Sequence, residues 1–127
     1  RMTKVEIAKQ FYEFSASEQK EQFESLLHSD FRVIEAENMP YAGTYKGAEG
    51  FREIVSIVFS YFAELRVEPV FYTEGDDHVI ALVKLAGVGK AAGQAFESNL
   101  LEVFRFEGDK IIEIRPYYWD QDLIKNL

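Results

Sequence analysis

Read for the spacing of its apolar residues, the chain carries helical stripes in its first half and alternating ribbons in its second. Ile7, Ala8, Phe11 and Phe14 recur at helical spacing behind Thr3, whose hydroxyl suits an N-cap, and predict a first helix. Ser17 and Glu18 open a short second helix that turns Phe23, Leu26 and Leu27 inward. Residues Phe31 to Ala36 read as a strand, broken by Asn38-Met39-Pro40. Phe51, Ile54, Val55, Val58, Phe59 and Phe62 then form a wide stripe of helical period, which predicts one long helix over Gly47–Leu65. Strands follow at Arg66–Thr73 and His78–Gly87, around the acidic turn Glu74-Gly75-Asp76-Asp77. A Gly-rich hairpin, Gly87 to Gly93, leads into a strict alternation from Phe96 to Phe106. Gly108-Asp109 turns the chain into a last strand, and Asp120–Asn126 predicts a short terminal helix. Helices first, then an antiparallel meander, is the order of an α+β fold with helices on one face of a curved sheet. No repeat, linker or low-complexity tract divides it, so one domain over residues 1–127 is expected.

The alternating segment also carries the first candidate chemistry. Phe96, Ser98, Leu100, Glu102, Phe104 and Phe106 share one face, which sets a carboxylic acid among aromatics. Desolvation disfavours the charged form of such an acid and brings its proton exchange toward neutral pH. The competing reading is an edge Glu, or one paired with a nearby Arg such as Arg115, since ion-pair networks perturb acids as well.

Composition narrows the partners. Of 127 residues 47% are hydrophobic and 15% aromatic, including eleven Phe and seven Tyr, which suits walls around an apolar cavity as well as a core. The net charge of −8 leaves no basic stripe for nucleic acid and little attraction to an anionic membrane. With no cysteine, disulfides, thiol catalysis and thiolate metal sites are excluded. The longest apolar stretch, Val55–Ala63, is interrupted by serines and too short to span a bilayer. Arg1 reads as an added residue before a native start at Met2, with no signal-peptide pattern after it, so a soluble, cytoplasmic protein is expected. His28 and His78 lie at element ends, where solvated positions are expected. Neither a metal-ligand spacing nor a phosphate cradle is visible, and no metal or organic cofactor is expected.

Two segments carry a family resemblance. Pro40-Tyr41-Ala42-Gly43-Thr44-Tyr45-Lys46-Gly47, running into the Phe51 helix, resembles the strand-to-helix connection of SnoaL-like proteins. Phe104-Arg105-Phe106, then Asp109-Lys110-Ile111-Ile112 and Tyr118-x-Asp120, resembles the last hairpin of the same group, which belongs to the nuclear transport factor 2-like superfamily together with ketosteroid isomerases. The resemblance implies a cone: a bent antiparallel sheet wrapped round a long helix, with a pocket open at one end. The superfamily hosts isomerases, cyclases, dehydratases, hydrolases and non-catalytic binders, so fold alone does not assign an activity.

Set against ketosteroid isomerases, Glu102 in Glu102-Val103-Phe104-Arg105-Phe106 takes the place of the acid that stays protonated and donates to the developing oxyanion. Glu35, five residues after Asp30, takes the place of the general base; both are Glu where that family has Asp. The family's oxyanion-holding Tyr falls on Phe11, which cannot donate, while Tyr12 lies one residue on, about 100° round the helix. The resemblance thus implies a proton-transfer site for a small apolar carbonyl compound, with Glu35 the lower-pKa base near a polar loop and Glu102 the protonated acid. Phe11, Phe59, Phe62, Leu100 and Phe104 are expected to wall the pocket, with Tyr12 or Tyr118 as a second donor. The other class left open is a ligand-binding or dimerisation domain in which both acids are structural. Leu101, Val103, Tyr117 and Trp119, on the opposite face, need a cover of their own, and the resemblance implies a homodimer through that face.

Overall fold

The computed structural model spans residues 1–127. Helix α1 covers Lys4–Ser15, and its start is a capping box: Thr3 Oγ1 accepts from the Glu6 N–H at 3.1 Å while Glu6 returns its carboxylate to the Thr3 N–H at 2.9 Å. Helix α2 is Lys20–Ser25, two residues later than the pattern predicts, because the Ser17 hydroxyl accepts from the Gln19 N–H and holds a turn there. Strands β1 (Leu27–Glu35) and β2 (Gly43–Lys46) precede helix α3 (Gly47–Phe59). The meander β3 (Phe62–Glu74), β4 (His78–Gly89), β5 (Ala95–Glu107) and β6 (Lys110–Tyr118) follows, and α4 (Asp122–Lys125) ends the chain.

The six strands form one sheet in the order β2-β1-β6-β5-β4-β3. Four of its five pairings are antiparallel, and β1–β6 is parallel. The expectation of a wholly antiparallel sheet is corrected there: β1 and β6 are joined by most of the chain, which supplies the crossover that a parallel pair needs. The stretch Gly43–Lys46, read from sequence only as a connection, pairs with β1 as an edge strand. Helix α3 packs on β1 and β2 at one edge and on β3 at the other, so the sheet curls round it.

The long-helix expectation over Gly47–Leu65 overshoots. Helix α3 closes at Ser60, whose N–H reaches Ser56 and Ile57 carbonyls at 3.1 Å, and Phe62 onward is captured by β4. A full-length ladder with β4 outweighs two more turns of helix. Gly87 lies within that ladder where a Cβ would collide with the Glu64 carbonyl, a close approach that only glycine permits. Gly108 supplies the positive φ of 61° in the β5–β6 turn.

Register sorts the two faces of the sheet. Tyr72, Ala81, Glu102 and Pro116 are successive partners across β3–β6 on the inner face. One step along, Phe71, Leu82, Leu101 and Tyr117 form the matching outer row. The core gathers α1, α2 and the inner face, with Phe31, Phe104, Ile111 and Val79 fully buried. No helix is long and apolar enough to cross a membrane.

Candidate functional site

The inner face, α1 and α3 do not pack completely; between them lies a cavity of about 290 Å³. At ~30 Å³ per water it has room for roughly ten water molecules, near the low end of ligand pockets. Seven elements build it. Helix α1 contributes Phe11 and Tyr12, β1 contributes Val33 and Glu35, and α3 contributes Phe51, Ile54, Val55, Val58 and Phe59. Strand β3 adds Leu65 and Val67, β4 adds Val83 and Leu85, β5 adds Leu100 and Glu102, and β6 adds Ile114 and Tyr118. No Lys, Arg or His lines the space, so two carboxyls face it without a counter-charge. No trio of His, Asp or Glu converges closely enough to hold a metal ion.

Both acids reach the cavity because strand alternation turns them inward: Glu35 follows Phe31 and Val33 on β1, and Glu102 follows Leu100 on β5. Their surroundings differ. Tyr12 donates its hydroxyl to Glu102 Oε1 at 2.5 Å, a short contact. Tyr12 is held in turn by edge-to-face packing on Phe104, 5.6 Å between ring centroids. The step of about 100° from Phe11 to Tyr12 therefore does not remove Tyr12 from the site, because the cavity is broad enough to meet both. Arg115 pairs with Glu113 at 3.5 Å on the outer side, so an Arg115 partner for Glu102 is ruled out.

Glu35 is only 6% exposed, and its Oε1 is buried with no hydrogen-bond partner. Burial, reinforced by the nearby Glu102, pushes its pKa up to about 8. Burial raises Glu102 too, with the Tyr12 hydrogen bond pulling the other way. Glu35 is the last residue of β1, where the chain enters the polar Glu37-Asn38 turn, and its Oε1 has no partner. Glu102, by contrast, has a donor in Tyr12 that favours its ionised form.

Two expected wall residues are also corrected. Phe62 belongs to β3 and packs on Phe96 at 5.1 Å, and Phe104 is fully buried behind the wall against Phe11 and Tyr12. Phe11, Tyr12, Phe59, Leu100 and Tyr118 line the cavity, with Phe59 half exposed at its rim. Phe51, Val55 and Val58 line it as well, and the α3 stripe contained them; their role was missed because a stripe does not say which part of it meets a void. Tyr41 was missed as well. Its hydroxyl stands 2.8 Å from that of Tyr118, just behind the wall.

The Glu35 shift has a consequence for stability. Its folded pKa lies above the unfolded value of 4.5, so folding holds an extra proton between the two. The stabilisation is complete below about pH 4.5 and is lost as pH rises toward 8. Thermal melting from pH 5 to 8 is expected to fall for the parent and to fall less for Glu35→Gln. Equal slopes for the two proteins would contradict it.

The SnoaL-like domain model matches residues 8–114. Among curated proteins none matches this sequence. Solved structures superpose over nearly the whole chain. One is a nuclear transport factor 2-like protein of unknown function from Burkholderia pseudomallei K96243, 20% identical, covering 99% of this chain and 98% of that one with a TM-score of 0.83. Another, from Jannaschia sp. CCS1, is described as a SnoaL-like polyketide cyclase; it is 19% identical over 90% and 83% of the two chains, TM-score 0.74. A third has a ketosteroid isomerase-like fold, from Catenulispora acidiphila DSM 44928 in complex with trimethylamine, 18% identical over 91% and 87%, TM-score 0.72. At such identities the likeness concerns the fold.

Proposed function

The chain belongs to the SnoaL-like domain family, and from that premise we propose that it is an isomerase-, cyclase- or dehydratase-type enzyme moving a proton on a small, uncharged, largely apolar carbonyl compound. One observation carries the reading: two carboxyls in unequal surroundings face one apolar cavity that holds no cation. Carboxyls whose environments separate their pKa values divide into a base and an acid, as they do in ketosteroid isomerases. Here Glu102, whose anion Tyr12 stabilises, takes the proton next to the carbonyl, and Glu35 stays protonated and donates to the oxygen. The volume favours a single ring or a short chain over a steroid.

The test offers small cyclic enones and aryl ketones to the protein in deuterium oxide. Deuterium entering next to the carbonyl, beyond the buffer rate and lost with Glu102→Gln, supports the enzyme. Binding without exchange across the panel leaves a non-catalytic ligand-binding domain and defeats the proposal.

We also propose a homodimer through the outer sheet face. Leu101 and Tyr117 lie exposed and side by side, Phe71 lies exposed in the same row beyond Leu82, and Trp119 is 87% exposed past the end of β6. Covering this apolar row is a favourable use of a two-fold partner. Light scattering should give twice the 14.7 kDa chain mass, and Leu101→Asp with Tyr117→Asp should halve it. A parent that runs as a monomer at micromolar concentration would end this proposal.

A further inference from the structure

A count of hydrogens around Glu35 leaves one donor and one acceptor without partners. The Tyr41 and Tyr118 hydroxyls bring two phenolic hydrogens to a 2.8 Å contact that uses one. Neither hydroxyl has another protein partner; the Tyr45 hydroxyl goes to the Tyr41 backbone carbonyl at 2.8 Å, not to its ring oxygen. One hydrogen is therefore spare. Glu35 Oε1, buried and unpartnered, is the missing acceptor. Such orphans are rare in buried sites because each forfeits the full desolvation cost of the group.

Register brings the two within side-chain reach. Val33 pairs with Ile114 in the parallel β1–β6 ladder, so Glu35 falls opposite Pro116 and Tyr118 stands one inner-face position further along β6, both lining the cavity. The terminal torsion of a Glu carboxyl is broad, so its oxygen can turn without moving the backbone.

We propose that Tyr41 donates to Tyr118 and Tyr118 donates to Glu35, so that Tyr118 is a positioning residue for Glu35 and Tyr41 orients Tyr118. With Oε1 accepting from Tyr118, the protonated Oε2 of Glu35 is left to point at the ligand oxygen. The inference deepens the proton-transfer reading and rests on it for its use in catalysis, but the relay itself exists without substrate. The titratable groups facing Glu35 are Glu102 from β5, Tyr118 from β6, Tyr41 from the β1–β2 connection and Tyr45 from β2. Helix α3 turns only Phe51, Ile54, Val55, Val58 and Phe59 to the cavity.

The experiment is a carboxyl ¹³C NMR titration of Glu35 in the ligand-free protein, assigned with Glu35→Gln and repeated in Tyr118→Phe and Tyr41→Phe. A hydrogen bond to the ionised form favours it, so losing the Tyr118 donor should raise the Glu35 midpoint by about one unit, a tenfold drop in acidity. Tyr41→Phe, which only removes the polarising neighbour, should raise it by about a third of that. If Tyr118 merely fills space, the Phe ring fills it as well and the midpoint stays where it was. An unchanged or lowered midpoint in Tyr118→Phe overturns the proposal. A fall in Tyr41→Phe also overturns it, because Tyr118 would then have been spending its hydrogen on Tyr41, and this variant decides the matter should Tyr118→Phe not fold. Since no substrate enters, loss of the exchange activity and loss of the relay are read separately.

Discussion

Glu102→Gln is expected to slow proton exchange next to a substrate carbonyl by about 10²–10⁴-fold, the usual contribution of a positioned base. The amide keeps the shape of the side chain but cannot take a proton. Its oxygen can still accept from Tyr12, which holds Glu102 Oε1 at 2.5 Å, so the fold should survive. Glu35 behaves differently under the same change. As the protonated donor it is replaced by an amide that can also donate, so Glu35→Gln should keep much of the rate. Glu35→Leu removes the donor altogether and should cost about 10²–10³-fold, as loss of one oxyanion contact does. The contrast assigns the roles. Glu35→Gln abolishing exchange while Glu102→Gln spares it would restore the division that the family resemblance implies, with Glu35 as base.

Phe104→Ala is expected to cost about 3–5 kcal/mol of folding stability, the range for truncating a fully buried aromatic. Phe104 meets Phe11 at 5.4 Å and Tyr12 at 5.6 Å, so the void would open under the wall that carries the site. Phe59→Ala, at the rim and 48% exposed, should change stability by about 0.5 kcal/mol or less while weakening ligand binding. Urea unfolding of both variants measures the difference. Similar midpoints would mean that Phe104 is a wall residue after all and that the packing behind the cavity is loose.

Much of this architecture was legible in local sequence because it depends on periods of two and 3.6 residues. The alternation of Phe96–Phe106 assigns Glu102, Leu100 and Phe104 to one face, and β5 keeps that assignment over its whole length. Thr3 with Glu6 three residues later marks the start of α1, since the reciprocal bonds need only those two side chains. The same alternation sets Glu35 with Phe31 and Val33, and so predicts that two acids turn inward.

What lay beyond the sequence were properties that belong to several elements at once. The apolar stripe of α3 continues at helical spacing through Phe62, yet the helix ends at Phe59 because β4 offers the next residues a ladder that no local pattern announces. A shared face does not say how deep a residue sits on it, so Phe104 passes behind the wall while Leu100 lines it. Spacing brings Tyr12 to the edge of the expected site, but only the breadth of the cavity lets it reach Glu102. Acidity is the least local property of all. The pKa of Glu35 is set by the water excluded by α1, α3, β5 and β6 together and by the charge of Glu102, 67 positions along the chain. Periodicity determined which way the two acids point; long-range packing decided that both are drawn away from water and that only Glu102 finds a donor.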